Sequence, residues 1–148
     1  MDINEYIQSR VDDQINWYSK KSQMAQKRYK IFQAVEIIMA ALIPLLSGYA
    51  TVHIAIPITV GILGAAIAII ESVTKLNKYH ENWIQYRTTC EMLKYHKHLF
   101  LTQTYPYNPS DETIENTFVR NIEDIISSEN SQWKINVSDE GEKSTASN

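Results

Sequence analysis

Polar and apolar positions divide the chain into distinct regimes. Near the start, Ile3, Ile7, Val11 and Ile15 recur every four residues, with Tyr18 close to their continuation. That spacing predicts an amphipathic helix with one apolar stripe. Residues 37–70 then carry no Asp, Glu, Lys or Arg, although Glu36 and Glu71 stand immediately on either side. A transmembrane helix needs roughly 20 apolar residues to cross a hydrocarbon core about 30 Å thick. The charge-free window is therefore too long for one span and slightly short for two. The run Ser47-Gly48-Tyr49-Ala50-Thr51-Val52-His53 divides it, because Gly48 permits a turn and Ser47, Thr51 and His53 suit an interface. The pattern predicts a helical hairpin with spans at 31–47 and 54–73, each borrowing a few residues from its charged flank.

Helix is expected on both sides of the hairpin. Gly and Pro are absent from residues 1–43, which predicts one long helix, or two with a bend near 20–22. Residues 58–105 contain no Pro, and Gly only at 61 and 64, so a second helix is expected over about 54–102, roughly 70 Å long at 1.5 Å per residue. Beyond the span, its apolar positions Leu76, Tyr86, Cys90, Leu93, Leu99 and Phe100 are spaced for packing on the first helix. Tyr105-Pro106-Tyr107-Asn108-Pro109-Ser110-Asp111 is a breaker, and Ser110 or Asp111 is placed to cap a further helix running to about 131. Ile114, Phe118, Ile122, Ile125, Ile126 and Trp133 give that helix one apolar face. Residues 135–148 lack such a stripe and are expected to be disordered. The fold class is an all-α membrane protein: a transmembrane hairpin at 31–73 whose long helices extend into a cytoplasmic bundle formed by 1–30 and 74–134.

Whole-chain averages hide this division. The 148 residues carry a net charge of −3 and are 44% hydrophobic, which by themselves describe a soluble domain. A cleaved signal peptide does not fit, since about 30 mostly polar residues precede the apolar run. A soluble bundle around the hairpin would need more apolar residues than the rest of the chain offers. Basic residues set the expected orientation. Lys27, Arg28 and Lys30 precede the first span and Lys75 and Lys78 follow the second, whereas the connecting loop has neither Lys nor Arg. Both termini should then be cytoplasmic, with the chain multi-pass in the cell inner membrane. No net positive field exists to attract nucleic acid. Cys90 is the only cysteine, so no internal disulfide forms.

Several runs, in order and spacing around the hairpin, carry a family resemblance. They are Asp12-Asp13-Gln14-Ile15-Asn16-Trp17-Tyr18, Leu42-Ile43-Pro44-Leu45-Leu46-Ser47-Gly48, Gly61-Ile62-Leu63-Gly64-Ala65, Glu81-Asn82-Trp83-Ile84-Gln85-Tyr86-Arg87, Glu91-Met92-Leu93-Lys94 and Ile126-Ser127-Ser128-Glu129-Asn130-Ser131-Gln132-Trp133. Over residues 3–134 the chain resembles the SLATT family of bacterial proteins with two transmembrane helices, within a domain-of-unknown-function branch. The resemblance implies an oligomeric pore-forming or membrane-disrupting effector of bacterial antiphage-type defence. A non-conducting anchor whose bundle recruits a partner is the alternative. The chain shows no fused nucleotide sensor or synthase motif, so a separate nucleotide-signal sensor or activating protein is the expected trigger.

Candidate residues follow from these spans. Glu36, about five positions inside the first span, and Gln33 one turn earlier could line the polar inner mouth of a homo-oligomeric pore in the lipid bilayer. The plainer reading pairs Glu36 with Lys75 or Lys78. Glu71 closes the second span, with Lys75 placed for an i, i+4 ion pair. Gly61, Gly64, Ala65 and Ala68 form a small-residue patch, used either within the hairpin or between copies. Trp17, Trp83 and Trp133 are bundle-core candidates. His80, His96, His98 and Cys90 lack metal-ligand spacing. No phosphate loop, nucleophile elbow or paired His–carboxylate motif supports catalysis, and no cofactor is expected.

Overall fold

The computed structural model describes residues 2–108 and 113–145, except the side chains of Asn130 and of residues 132–145. Every regular element among the described residues is helical: α1 (Ile3–Tyr6), a π-helical stretch (Ile7–Val11), α2 (Asp12–Ser47), α3 (Ala55–Asn77), α4 (Tyr79–Leu101) and α5 (Ile114–Thr145). They form two compact units. One comprises Met1–Lys20 with Tyr86–Asn148, the other Lys21–Gln85.

The first unit is built on the four-residue stripe. Four residues overshoot a 3.6-residue α-turn, so a strict four-residue repeat drifts around an α-helix. The wider π-turn at Ile7–Val11 takes up that drift. Ile7, Val11 and Tyr18 are buried, and Ile3, Tyr6 and Ile15 pack beside them. Cys90 and Leu93 of α4 and Phe118, Ile122, Ile125 and Ile126 of α5 complete the core. The predicted α5 face is thus the buried one, and Cys90 Sγ lies 3.6 Å from the Ile15 carbonyl. Phe100 stacks on Phe118 with ring centroids 4.3 Å apart.

Polar bonds staple the helices around this core. The Arg10 guanidinium donates twice to the Glu123 carboxylate, at 3.1 and 3.0 Å, and the Tyr6 hydroxyl donates to the same group at 2.9 Å. Tyr18 donates to the buried Glu129 at 3.0 Å. Lys97 pairs with Asp12. Burial, followed by these carboxylates, pushes the Tyr6 and Tyr18 hydroxyls well above the ordinary tyrosine value.

The breaker contributes more than a turn. α4 ends with Gln103 in the left-handed region (φ 52°), where Gln103 N–H bonds the Phe100 carbonyl and Thr104 N–H the Leu99 carbonyl. The chain then folds back and buries Tyr107 completely. Asn121 donates to the Tyr107 oxygen at 2.9 Å, and that hydroxyl shares a 2.6 Å hydrogen bond with His96 Nδ1. Tyr107, read from the sequence only as part of a turn, is a hub of the core.

In the second unit, α2 reaches Ser47 through Pro44, and α3 starts at Ala55. Both helices are long and apolar enough to cross a membrane, and the turn falls where the sequence places it. His53 Nδ1 accepts the Ala55 N–H at 3.2 Å, covering one of the free amides that open α3. Ile37, Ile38, Leu45, Ile58, Ile62 and Ile69 are all more than half exposed.

The structure corrects several expectations. Residues 20–22 are helical, within α2. The helix expected over 54–102 is instead two helices, interrupted at Lys78. α5 runs to Thr145 rather than ending near 131, so the backbone of 135–145 is helical. A missing apolar stripe removes a packing reason for helix, but that stretch holds no proline to stop one. Trp17 is 45% exposed, its ring meeting Tyr18 and Tyr86 edge-on. Tyr18 holds the core position instead, because it lies seven residues, about two α-turns, after the buried Val11 and so on the same helix face. Ser110, Asp111 and the Trp133 side chain lie outside the described residues.

Two predictions test this unit. Phe118→Ala is expected to cost about 3–5 kcal/mol, the usual range for emptying a packed aromatic site, read by thermal or denaturant unfolding in detergent micelles. Acid should also loosen it. Burial holds His96 below its ordinary value of 6.5, and the Arg10 guanidinium, aided by Tyr6, holds Glu123 below 4.5. Both groups therefore lend stability above those values, and it is lost as pH falls through the lower folded-state ones. The unfolding midpoint should drop as pH is lowered from 7.5 to 5.5 and drop further below 4.5; a level or rising midpoint contradicts the assignment.

Candidate functional site

The chemistry-bearing side chains of the second unit gather at the foot of the hairpin, where the charge-free window opens and closes. The decisive local event is the break at Lys78. Its backbone is left-handed (φ 47°, ψ 39°), a conformation that costs an ordinary L-residue energy. Neighbouring asparagines offset that cost. Asn77 Nδ2 donates to the Val73 carbonyl at 2.9 Å, and Asn82 Nδ2 donates to the Asn77 carbonyl at 3.1 Å. Asn82 N–H closes the first turn of α4 on the Lys78 carbonyl at 2.9 Å. A helix thus stops and restarts with neither Gly nor Pro. The available signal was the Asn77/Asn82 pair, whose amides satisfy groups a broken helix leaves free.

Aromatic contacts fix the restarted helix against α2. Tyr29 packs on His80 at 4.9 Å, and Phe32 stacks on Tyr79 at 5.8 Å. Arg28 lies over the Tyr79 ring at 6.0 Å. His80 also meets Trp83, which is half-buried by this packing.

The acids bounding the window come together. The Glu36 side chain lies near enough to the Glu71 carboxylate and to Lys75 to feel the charge of both. Lys75 pairs with Glu71 at 2.9 Å, as the i, i+4 spacing predicts. The plainer reading of Glu36 is thereby changed: its neighbour across the hairpin is Glu71, and Lys75 is held by that second acid. Glu36 Oε1 is buried with no hydrogen-bond partner among the described residues, and so is Thr74 Oγ1. Gln33 is exposed on α2.

Beside this row lies a cavity of about 360 Å³, walled by Tyr29, Thr74, Lys78, His80 and Glu81 together with the Glu71–Lys75 pair. The small-residue patch sits elsewhere on α3. Gly61, Gly64, Ala65 and Ala68 are all exposed, and a Cβ at either glycine would meet no atom within 4 Å. Leu63, Ala66, Ile67 and Ile70 are the partly buried residues. The patch is therefore not consumed by packing within the hairpin.

The family model for a protein of unknown function, DUF4231, matches residues 13–115. The chain belongs to the DUF4231 family. The DUF4231 match takes in both hairpin helices, the break at Lys78, the cavity and all of α4. No curated protein and no solved structure matches the chain.

The strain at Lys78 can be isolated by comparing two variants that both lack the lysine side chain. Lys78→Gly should be more stable than Lys78→Val by about 1–2 kcal/mol, since glycine adopts the left-handed region freely and a β-branched residue does not. Thermal unfolding of the two in the same micelles reads the difference, and equal midpoints would place Lys78 outside that region.

Proposed function

We propose that this DUF4231 protein is a homo-oligomeric inner-membrane effector that permeabilises the bilayer when triggered by a separate sensor or activating protein. The SLATT resemblance motivates the bacterial-defence setting. The observation that carries the oligomeric pore is the outward-facing stripe Gly61, Gly64, Ala65 and Ala68 on an apolar helix. Small residues let helix backbones approach closely, and this stripe has no partner inside the hairpin. Lys and Arg flanking the spans, with none in the turn, support cytoplasmic termini. Copies assembled through α3 would bring several Glu36/Glu71 feet together, and rings of carboxylates favour cations.

A second reading, a non-conducting anchor whose bundle binds a partner, draws on a specific observation. The Ser47 and Thr59 hydroxyls bond their own helix carbonyls at 2.8 and 2.9 Å. Polar groups free to line a lumen are therefore scarce, and a conducting form would be mostly apolar and gate by dewetting.

Dye and ion release from liposomes containing the purified protein separates the readings. Release is expected from oligomeric wild type. Gly64→Leu should keep its helical content but lower release at least tenfold and shift the protein toward monomer. Glu36→Ala should weaken cation preference. No release from any oligomeric form, with growth unaffected by overexpression, selects the anchor.

A further inference from the structure

We propose that the cavity at the foot of the hairpin seats one zwitterionic phospholipid headgroup bearing a primary ammonium, of the phosphoethanolamine type. The proposal rests on the membrane reading of the hairpin and not on conduction.

Depth comes first. Glu71 is the first charge after the charge-free window, and the cavity wall runs from it to Glu81. From Glu71 to Lys78 a helix rises about 10 Å, comparable with the roughly 5–8 Å of headgroup region on each side of the hydrocarbon core. The cavity thus opens at headgroup level.

Its chemistry carries both signs. Lys75, Lys78 and His80 supply cationic or hydrogen-donating groups, and Tyr29 and Thr74 add hydroxyls. The break at Lys78 also places the start of α4 here, where free amides favour a phosphate. Glu71 and Glu81 supply carboxylates on the same wall. A purely anionic headgroup would meet these acids without a cation of its own. A quaternary ammonium has no N–H to donate to them. A primary ammonium has three donors for the carboxylates, while its phosphate takes the cationic side. Thr74 Oγ1, buried and without a hydrogen-bond partner among the described residues, gains one from such a phosphate. A cavity of about 360 Å³ lies at the small end of ligand pockets, which suits a headgroup.

The test uses the full chain in micelles with equimolar phosphatidylethanolamine, phosphatidylcholine and phosphatidylglycerol, and native mass spectrometry of the retained lipid. Wild type should retain phosphatidylethanolamine about tenfold over either of the others. Glu81→Gln should erase the preference over phosphatidylcholine, and Thr74→Val should lower retention of all three without changing the melting temperature. Soluble glycerophosphoethanolamine serves as the competing free source and should displace the lipid only at much higher concentration. Equal retention of the three lipids, an unchanged preference in Glu81→Gln, or displacement at equal concentration overturns the proposal. Because bound lipid is the readout, a protein that releases no dye can still pass, and one that does release dye can still fail.

Discussion

Everything in the second unit follows from one constraint: 34 consecutive residues, 37–70, without a single formal charge. Two helices cannot cover each other on all sides, so their isoleucines and leucines stay exposed to whatever surrounds them. In lipid that exposure costs nothing, but every backbone amide and carbonyl must be satisfied internally. The hairpin meets this demand locally. Ser47 and Thr59 turn their hydroxyls onto their own helices, and His53 covers an amide at the start of α3. Polarity is left for the foot, where Glu36, Glu71 and Lys75 meet.

The foot is also where regular helix gives way. A left-handed lysine is an expensive way to end a helix, and Gly would do it without strain. What holds Lys78 there is its surroundings: the two asparagine amides on either side and the aromatic pairs Tyr29–His80 and Phe32–Tyr79. The break turns one continuous helix into a C-terminus and an N-terminus a residue apart. A charged cavity therefore has oriented backbone dipoles beside it as well as side chains. A straight helix through residue 78 would have kept the charges and lost those free ends.

What the sequence revealed and what it concealed have separate physical causes. The hairpin, its turn and the faces of α4 and α5 were legible because burial imposes a period, and Ile114, Phe118, Ile122 and Ile126 keep it. The outward direction of Gly61 and Gly64 was not, since small residues pack equally well against either neighbour. Lys78 was missed because helix breaks are read from Gly and Pro, whereas here asparagine side chains supply the missing bonds. Tyr107 was missed for a related reason. Its flanking prolines announce a turn, but only the fold reveals that the turn delivers its ring between His96, Phe100 and Phe118. Trp17 misled through size, as a large apolar ring need not be the buried one when its neighbour lies two α-turns after a buried residue.

The two units differ most in how they treat buried polar groups. In the first, the buried Tyr18 and Glu129 satisfy each other, and Tyr107 is held between His96 and Asn121. Such satisfaction is the rule in folded proteins, because an unpaired buried polar group costs roughly 1–3 kcal/mol. The buried side-chain atoms left without partners among the described residues are Glu36 Oε1 and Thr74 Oγ1, and both are at the foot of the hairpin. A bundle designed only to fold would leave such atoms nowhere. Thr74 lines the cavity there, and Glu36 lies beside Glu71, which lines it too. In the first unit, by contrast, Tyr18, Glu129 and Tyr107 all find partners within the same core. The chemistry of this protein is therefore to be sought where its charge-free window ends.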